Sequence, residues 1–201
     1  MCFARSDDEI RQSEGFKNVS LGNVIPANYQ QANTPFLNDS DKELLQKYRI
    51  MAFEVQVGLH ELLGHGSGKL LQKDADGTLN YPSTLLDPFT GRPPSSCYNP
   101  GDTYDSCFGP MSSAYEECRA EAVGLYLSLE AHVLSIFGHE GAQADDIMYV
   151  NWLSLAWAGL CSLEMWDPNR GWLQAHSQVH YTRKLFTFIA QCTNVQLLKN
   201  Q

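Results

Sequence analysis

Apolar residues recur at helical spacing in several parts of the chain. In the first, Leu44, Leu45, Tyr48, Met51, Ala52, Val55 and Leu59 fall on one face of a 3.6-residue period. Just before them, "SDKE" supplies a capping box, Ser40 with Glu43. A helix is therefore predicted from there until Gly66 and Gly68 stop it. The second part, "SSAYEECRAEAVGLYLSLEAHVLSIFG", opens on another such box, Ser113 with Glu116, and ends at Gly138. The third, "QADDIMYVNWLSLAWAGLCSLEMWDP", opens near Asp145 and is stopped by Pro168. Its aromatic-rich run "YVNWLSLAWAGL" is predicted to be core, the usual place for rings at this spacing. A helical pattern returns from Trp172 to Leu198, as one helix or two.

Between the first two helices the pattern fails. Residues 67–112 are rich in Gly, Pro, Ser, Asp and Tyr, and a connection this long is usually functional or mobile. Within it "KDADGTL" predicts a tight turn, a short hairpin at Asp76-Gly77. Residues 1–37 are polar, broken by Gly15, Gly22, Pro26 and Pro35, and show no period. The prediction is a mainly α fold: one helical lobe over 1–201, with the long irregular insertion 67–112 between two helices.

Composition adds limits. The chain has 201 residues, 43% hydrophobic, enough for one sizeable core. A net charge of −9 argues against nucleic acid and anionic membrane as partners. No apolar run is long enough to span a bilayer. "MCFARSDDEI" lacks the apolar core of a secretory signal, so a cytoplasmic location is expected. Reduced thiols are then expected for Cys2, Cys97, Cys107, Cys118, Cys161 and Cys192, and the sequons at Asn18 and Asn38 are chance matches.

The candidate chemistry begins in "LHELLGH". The common zinc-protease motif H-E-x-x-H has three residues between its histidines; here four separate His60 from His65. In a regular helix residues five apart lie about 140° apart around the axis and cannot share an ion. They converge only if the helix widens by a π-bulge, and Gly64 is a permissive place for one. Catalytic zinc needs a third protein ligand, expected on another helix. "YEECRAEA" supplies candidates. Glu117 and Glu121 share a helix face, and Glu116 lies about a quarter turn aside. Dipole complementarity and capping explain Glu116, but Glu121 lies past the first turn, among Cys118, Ala122, Leu125 and Tyr126. A carboxylate buried there needs a partner, and a metal-bound histidine is a good one.

His60-Glu61-Leu62-Leu63-Gly64-His65 and Glu116-Glu117-Cys118-Arg119-Ala120-Glu121 resemble the two signature motifs of the dipeptidyl peptidase III family of zinc exopeptidases. The similarity extends from "GFKNVSLGNV" at Gly15 to "VNWL" and to "QAH" at Gln174–His176. The resemblance implies one zinc per chain held by His60, His65 and Glu117. It implies Glu61 as general base, Glu116 and Glu121 as groups that orient the histidines, and His176 as a group near the substrate that steadies the transition state. It further implies removal of dipeptides from the N-terminus of oligopeptides. The chain would then be the helical zinc-metallopeptidase lobe of a two-lobed protein, the second, β-rich lobe lying outside it. Four residues after the histidine the family commonly has an arginine that contacts substrate; here the position is His180.

Two alternatives stand beside this expectation. A non-catalytic zinc-binding fragment, or a partner-binding paralogue without the second lobe, suits the short chain, but a structural zinc has no need of Glu61. A zinc endopeptidase with the shorter histidine motif is disfavoured by the extra residue and by "EECRAE". Other patterns carry less. "GHGSGKL" fails the phosphate-loop pattern at Leu63 and Leu70, and "QKDADG" fails the calcium-loop pattern at Gln72 and Ser83. His132, His139 and His180 are predicted surface or core histidines, and Cys118 a buried packing residue.

Overall fold

Helix α1, Asp39–Leu59, starts at a cap other than the predicted one. The Asn38 side-chain oxygen accepts from the Asp41 backbone N–H at 2.9 Å and from the Ser40 hydroxyl at 2.7 Å. A cap needs extended backbone ahead of the first turn, which Asn38 has (φ −69°, ψ 168°); Ser40 already lies in the helix. This is a computed structural model, and it describes residues 34, 35, 37–88 and 90–179. Over that range the chain is mainly helical, as its pattern predicts.

The buried face of α1 is Leu45, Tyr48, Ala52, Val55 and Leu59, spaced by three and four as read from the sequence. Met51 stays exposed. At its C-terminal end α1 runs directly into a wider turn, His60–His65.

Residues 67–113 form a compact unit of their own. The hairpin predicted within it is present. The Asp74 backbone N–H donates to the Thr78 carbonyl at 2.8 Å, and Lys73 bridges Leu79. Gly77 takes the turn at φ 87°, where a side chain is disfavoured. The unit also holds a short helix the pattern did not reveal, α2 at Tyr104–Phe108, started by a reciprocal Thr103–Ser106 cap. Five residues are too few to show a period.

Helix α3 covers Ser112–Leu127, all but its first two residues belonging to the other unit, and α4 covers Ala131–Ile136, so the predicted second helix is broken in two. Glu116 does not close a capping box with Ser113; its carboxylate is engaged by Arg119 and His65 instead. Helix α5, Gly141–Cys161, begins four residues before Asp145. Its Ala144, Ile147, Val150 and Leu153 join Leu134 of α4 and the buried face of α1 in one core. The aromatic run thus contributes to the core mainly through Val150 and Leu153. Tyr149 is exposed, with its hydroxyl donating to Asp41 at 3.0 Å.

After α5 the chain tightens at Ser162–Met165 and forms a small antiparallel pair, β1 at Trp166–Asp167 and β2 at Gly171–Trp172. The helix predicted from Trp172 begins only at 175, because Trp172 is held opposite Trp166, ring against ring at 5.3 Å. Residues 180–198 of that prediction, His180 included, lie outside the described residues. Among the described residues no helix is long and apolar enough to cross a membrane. Cys97, Cys107, Cys118 and Cys161 form no disulfide.

Candidate metal centre

The centre is built first by the turn that ends α1. Residues His60–His65 are wound as a π-helix, and the Gly66 N–H closes on the carbonyl of Glu61, five residues back, at 3.1 Å. The widening swings the two imidazoles together, with Nε2 of His60 3.1 Å from Nε2 of His65. Such a turn is less stable than an α turn and has to be held from outside. Gly64 does part of this. A β-carbon there would lie 2.7 Å from the Cα of Ala120 on α3, so glycine is required for close approach rather than for its φ, which is not positive. Arg119 does the rest, donating from Nη2 to the Gly64 carbonyl at 2.8 Å.

Helix α3 supplies the third group. Glu117 is 5% exposed, and its Oε2 lies 3.2 Å from His60 Nε2 and 3.4 Å from His65 Nε2. The three atoms form a nearly equilateral triangle. The opposite nitrogen of each ring faces another carboxylate: His60 Nδ1 is 3.5 Å from Glu121 Oε2, and His65 Nδ1 is 3.1 Å from Glu116 Oε1. If each Nδ1 carries the proton it offers to its carboxylate, both Nε2 atoms are lone pairs facing a third carboxylate. Three acceptors that close, out of water, need a positive centre between them. Donors bound at about 2.0–2.1 Å to a tetrahedral ion lie about 3.3 Å apart, which is the edge length seen. His60, His65 and Glu117 therefore fit a metal ion, and among the described residues they are the group that does.

Protons can meet the same demand. Burial lowers the His60 pKa, the largest single effect, but hydrogen bonds to Glu117 and Glu121 outweigh it and hold the ring at about 9. His65 is likewise pushed down by burial and raised further by Glu116 and Glu117, to about 9. Burial works to raise Glu116, yet His65 and Arg119 bring it down to about 2. Arg119 reaches that carboxylate twice, from Nε at 2.9 Å and from Nη2 at 2.6 Å.

A cavity of about 320 Å³ opens beside the triangle. Glu61, half-buried, lines it together with His60, Glu121 and His176. The His176 Nδ1 is 3.3 Å from Glu117 Oε2, and its side chain is 42% exposed. All seven residues picked from the sequence as site residues thus come together, on the π-turn that follows α1, on α3 and on the segment 175–179.

Three participants escaped the sequence reading. Arg119, inside the second motif, binds both Glu116 and the π-turn. Gln56 and Asn151, both buried, connect to Glu121 from the core side. The available signal was polarity at a position where the α1 and α5 patterns call for an apolar residue. Ala122 and Tyr126, read as sharing an apolar face with Glu121, are exposed, and Cys118 is half-buried rather than buried. His132 is exposed and His139 half-buried, both apart from the centre.

Comparison with known proteins shows the family. The family model for Peptidase family M49 matches residues 5–200. Dipeptidyl peptidase 3 of Nematostella vectensis is 54% identical over 176 residues, which are 87% of this chain and 24% of that protein. Dipeptidyl peptidase 3 of Homo sapiens is 52% identical over 178 residues, again 87% of this chain and 24% of that protein. Dipeptidyl peptidase 3 of Dictyostelium discoideum is 47% identical over 184 residues, 26% of its length. The chain spans about a quarter of the length of the curated relatives it matches.

Proposed function

The chain belongs to peptidase family M49, and on that premise we propose that it is the helical catalytic lobe of a zinc-dependent dipeptidyl peptidase, one that removes dipeptides from the N-terminus of oligopeptides. The observation that carries this reading is the triangle of His60, His65 and Glu117 with its ligand atoms within 4.8 Å of one another. Two histidines and a glutamate are an established donor set for catalytic zinc. When bound there, zinc supplies Lewis acidity, polarising a carbonyl and lowering the pKa of water towards about 7.

The chain's own residues supply the rest. Glu61 adjoins a ligand and lines the cavity, where it accepts the proton of the attacking water and passes it to the leaving amine. His176 lines the cavity and is half exposed; in this reading it donates to the oxygen on which charge develops. Glu121 and Glu116 hold the ring protons of His60 and His65 on Nδ1, so that each Nε2 faces inward.

A net charge of −9 suits peptide rather than nucleic-acid partners. Six scattered cysteines with no C-x-x-C pair suit a reducing compartment, the cytoplasm. One observation favours a second reading, a zinc-binding fragment without turnover: the chain covers 24% of the length of its first relatives.

Elemental analysis of the purified chain tests the metal. We expect one zinc per chain, lost in His60→Ala. Full zinc content in that variant would remove His60 from the ligand set. Dipeptide release by the longer protein carrying this segment tests the activity, and a zinc-loaded long form without turnover would favour the second reading.

A further inference from the structure

Gln56 sits one turn before His60 on α1, buried, and both ends of its amide are engaged. Its Nε2 donates to Glu121 Oε2. Its Oε1 accepts from Asn151 Nδ2, on α5, at 3.0 Å. The same Nδ2 donates to the Ser128 hydroxyl at 3.2 Å, which itself donates to the Leu125 carbonyl at 2.8 Å. Ser128, Asn151 and Gln56 are 1%, 2% and 6% exposed. At the other end Glu121 faces His60 Nδ1. A line of buried polar groups therefore runs from α5 through α1 and α3 to one imidazole.

Packing does not account for it. Two amides and a carboxylate in a helical core each carry a desolvation cost, and methionine or leucine would fill similar space without it. Helix α3 makes room for the line at Gly124, where a β-carbon would lie 2.8 Å from Gln56 Nε2. The orientations follow from the partners. An ionised carboxylate only accepts, so Gln56 must present its NH2 to Glu121 and its oxygen to Asn151. Asn151 must then turn its NH2 towards Gln56. Gln56 thus donates to Glu121, and Asn151 donates to Gln56 and to the Ser128 hydroxyl.

We propose that Gln56 and Asn151 are positioning residues of the metal centre: they fix the Glu121 carboxylate so that His60 keeps its proton on Nδ1 and offers Nε2 to the ion. This deepens the proposed function and rests on its assignment of His60 as a ligand. The two histidines are then braced differently. His65 leans on the part-buried Glu116–Arg119 pair, whereas His60 is braced from the interior. Helix α5 is thereby tied to the centre without contributing a ligand.

The test uses the 201-residue chain, with zinc affinity read by chelator competition at one pH. In Gln56→Met the dissociation constant rises up to about 10-fold, the low end of the effect of losing a ligand's direct outer partner, because Gln56 acts on His60 through Glu121. Asn151→Ala shifts it in the same direction by less. In the zinc-loaded parent the His60 Nδ1–H is protected from solvent exchange by nuclear magnetic resonance, and the protection is lost in both variants. A purely structural role would lower the thermal midpoint without metal while leaving affinity and exchange unchanged, and that result overturns the proposal. If Gln56→Met fails to fold, Asn151→Ala and Ser128→Ala give the same readout. A parent chain that binds no zinc would overturn the metal assignment itself; a zinc-binding parent with unaltered variants overturns only the positioning role.

Discussion

Gly64 and Ala120 meet backbone to backbone: a β-carbon on Gly64 would lie 2.7 Å from the Ala120 Cα and 2.8 Å from its carbonyl oxygen. The contact sets the π-turn against α3 in the register that brings Glu117, three residues before Ala120, to both histidines.

Gly64→Ala is therefore expected to push the two elements apart. The obstructing atoms are mostly backbone and cannot rotate away, so the cost is about 1–3 kcal/mol, as for other overpacked contacts. Zinc affinity should fall with it. Thermal melting and chelator competition read the two effects, and unchanged affinity would mean that the π-turn is held without this contact.

Glu61→Gln keeps the size of the side chain and removes its basicity. Zinc should stay bound, while peptidase activity in the longer protein carrying this segment drops by roughly two to four orders of magnitude, the usual general-base contribution. Steady-state rates beside zinc content provide the check, and full turnover would point to another base.

Metal binding should depend on pH with a definite sign. Without metal, His60 and His65 are held at about 9 against an ordinary value of 6.5. Their protonated forms therefore stabilise the metal-free fold; that contribution is fully present below 6.5 and is lost as pH rises through about 9. Zinc must displace these protons, so its affinity rises over the same window, by up to about tenfold per pH unit for each proton displaced. Melting curves with and without zinc between about pH 6 and about 9.5 should therefore diverge. Parallel curves would exclude the histidines as ligands.

Arg119→Met removes the guanidinium that bridges Glu116 and the Gly64 carbonyl. Glu116 is depressed from 4.5 to about 2, so its contribution is present above pH 4.5 and lost as pH falls through about 2. The variant should be less stable than the parent above pH 4.5, with the difference shrinking towards pH 2. Denaturant titrations across that range measure it. A difference constant with pH would assign Arg119 to packing alone.

The 201-residue chain by itself should bind zinc and release dipeptides poorly. Its metal ligands and base lie within 60–117, but correct orientation of a substrate can account for about 7–11 kcal/mol of barrier lowering. If part of that orientation comes from a second lobe, this chain leaves the peptide half held. The comparison is dipeptide release from a short unblocked peptide, beside a full-length relative. Turnover within about tenfold, or roughly 1.4 kcal/mol, would show that one lobe suffices.

The chain's own order of residues determined which helices form and which chemistry they carry. Core positions such as Leu45, Ala52, Val55 and Leu59 follow from local periodicity, a short-range property of the backbone. The angle between residues five apart shows that His60 and His65 need a π-turn to meet, but the contacts of Ala120 and Arg119 that hold that turn are tertiary. The Asn38 cap, the break between α3 and α4 and the strand at Trp172 were misread, because polar caps and short pairings compete within a few residues at small differences in energy. What only tertiary structure decided is which carboxylate meets which nitrogen. Residue type and helix position leave Glu117 and Glu121 as alternatives, and only the family resemblance singles out Glu117. Glu117 reaches both Nε2 atoms, and Glu116 and Glu121 reach Nδ1, because Gly64 and Gly124 let α1 and α3 approach at a fixed crossing. Gln56 and Asn151 lie 95 residues apart, and their bond to each other exists only once α1, α3 and α5 are packed.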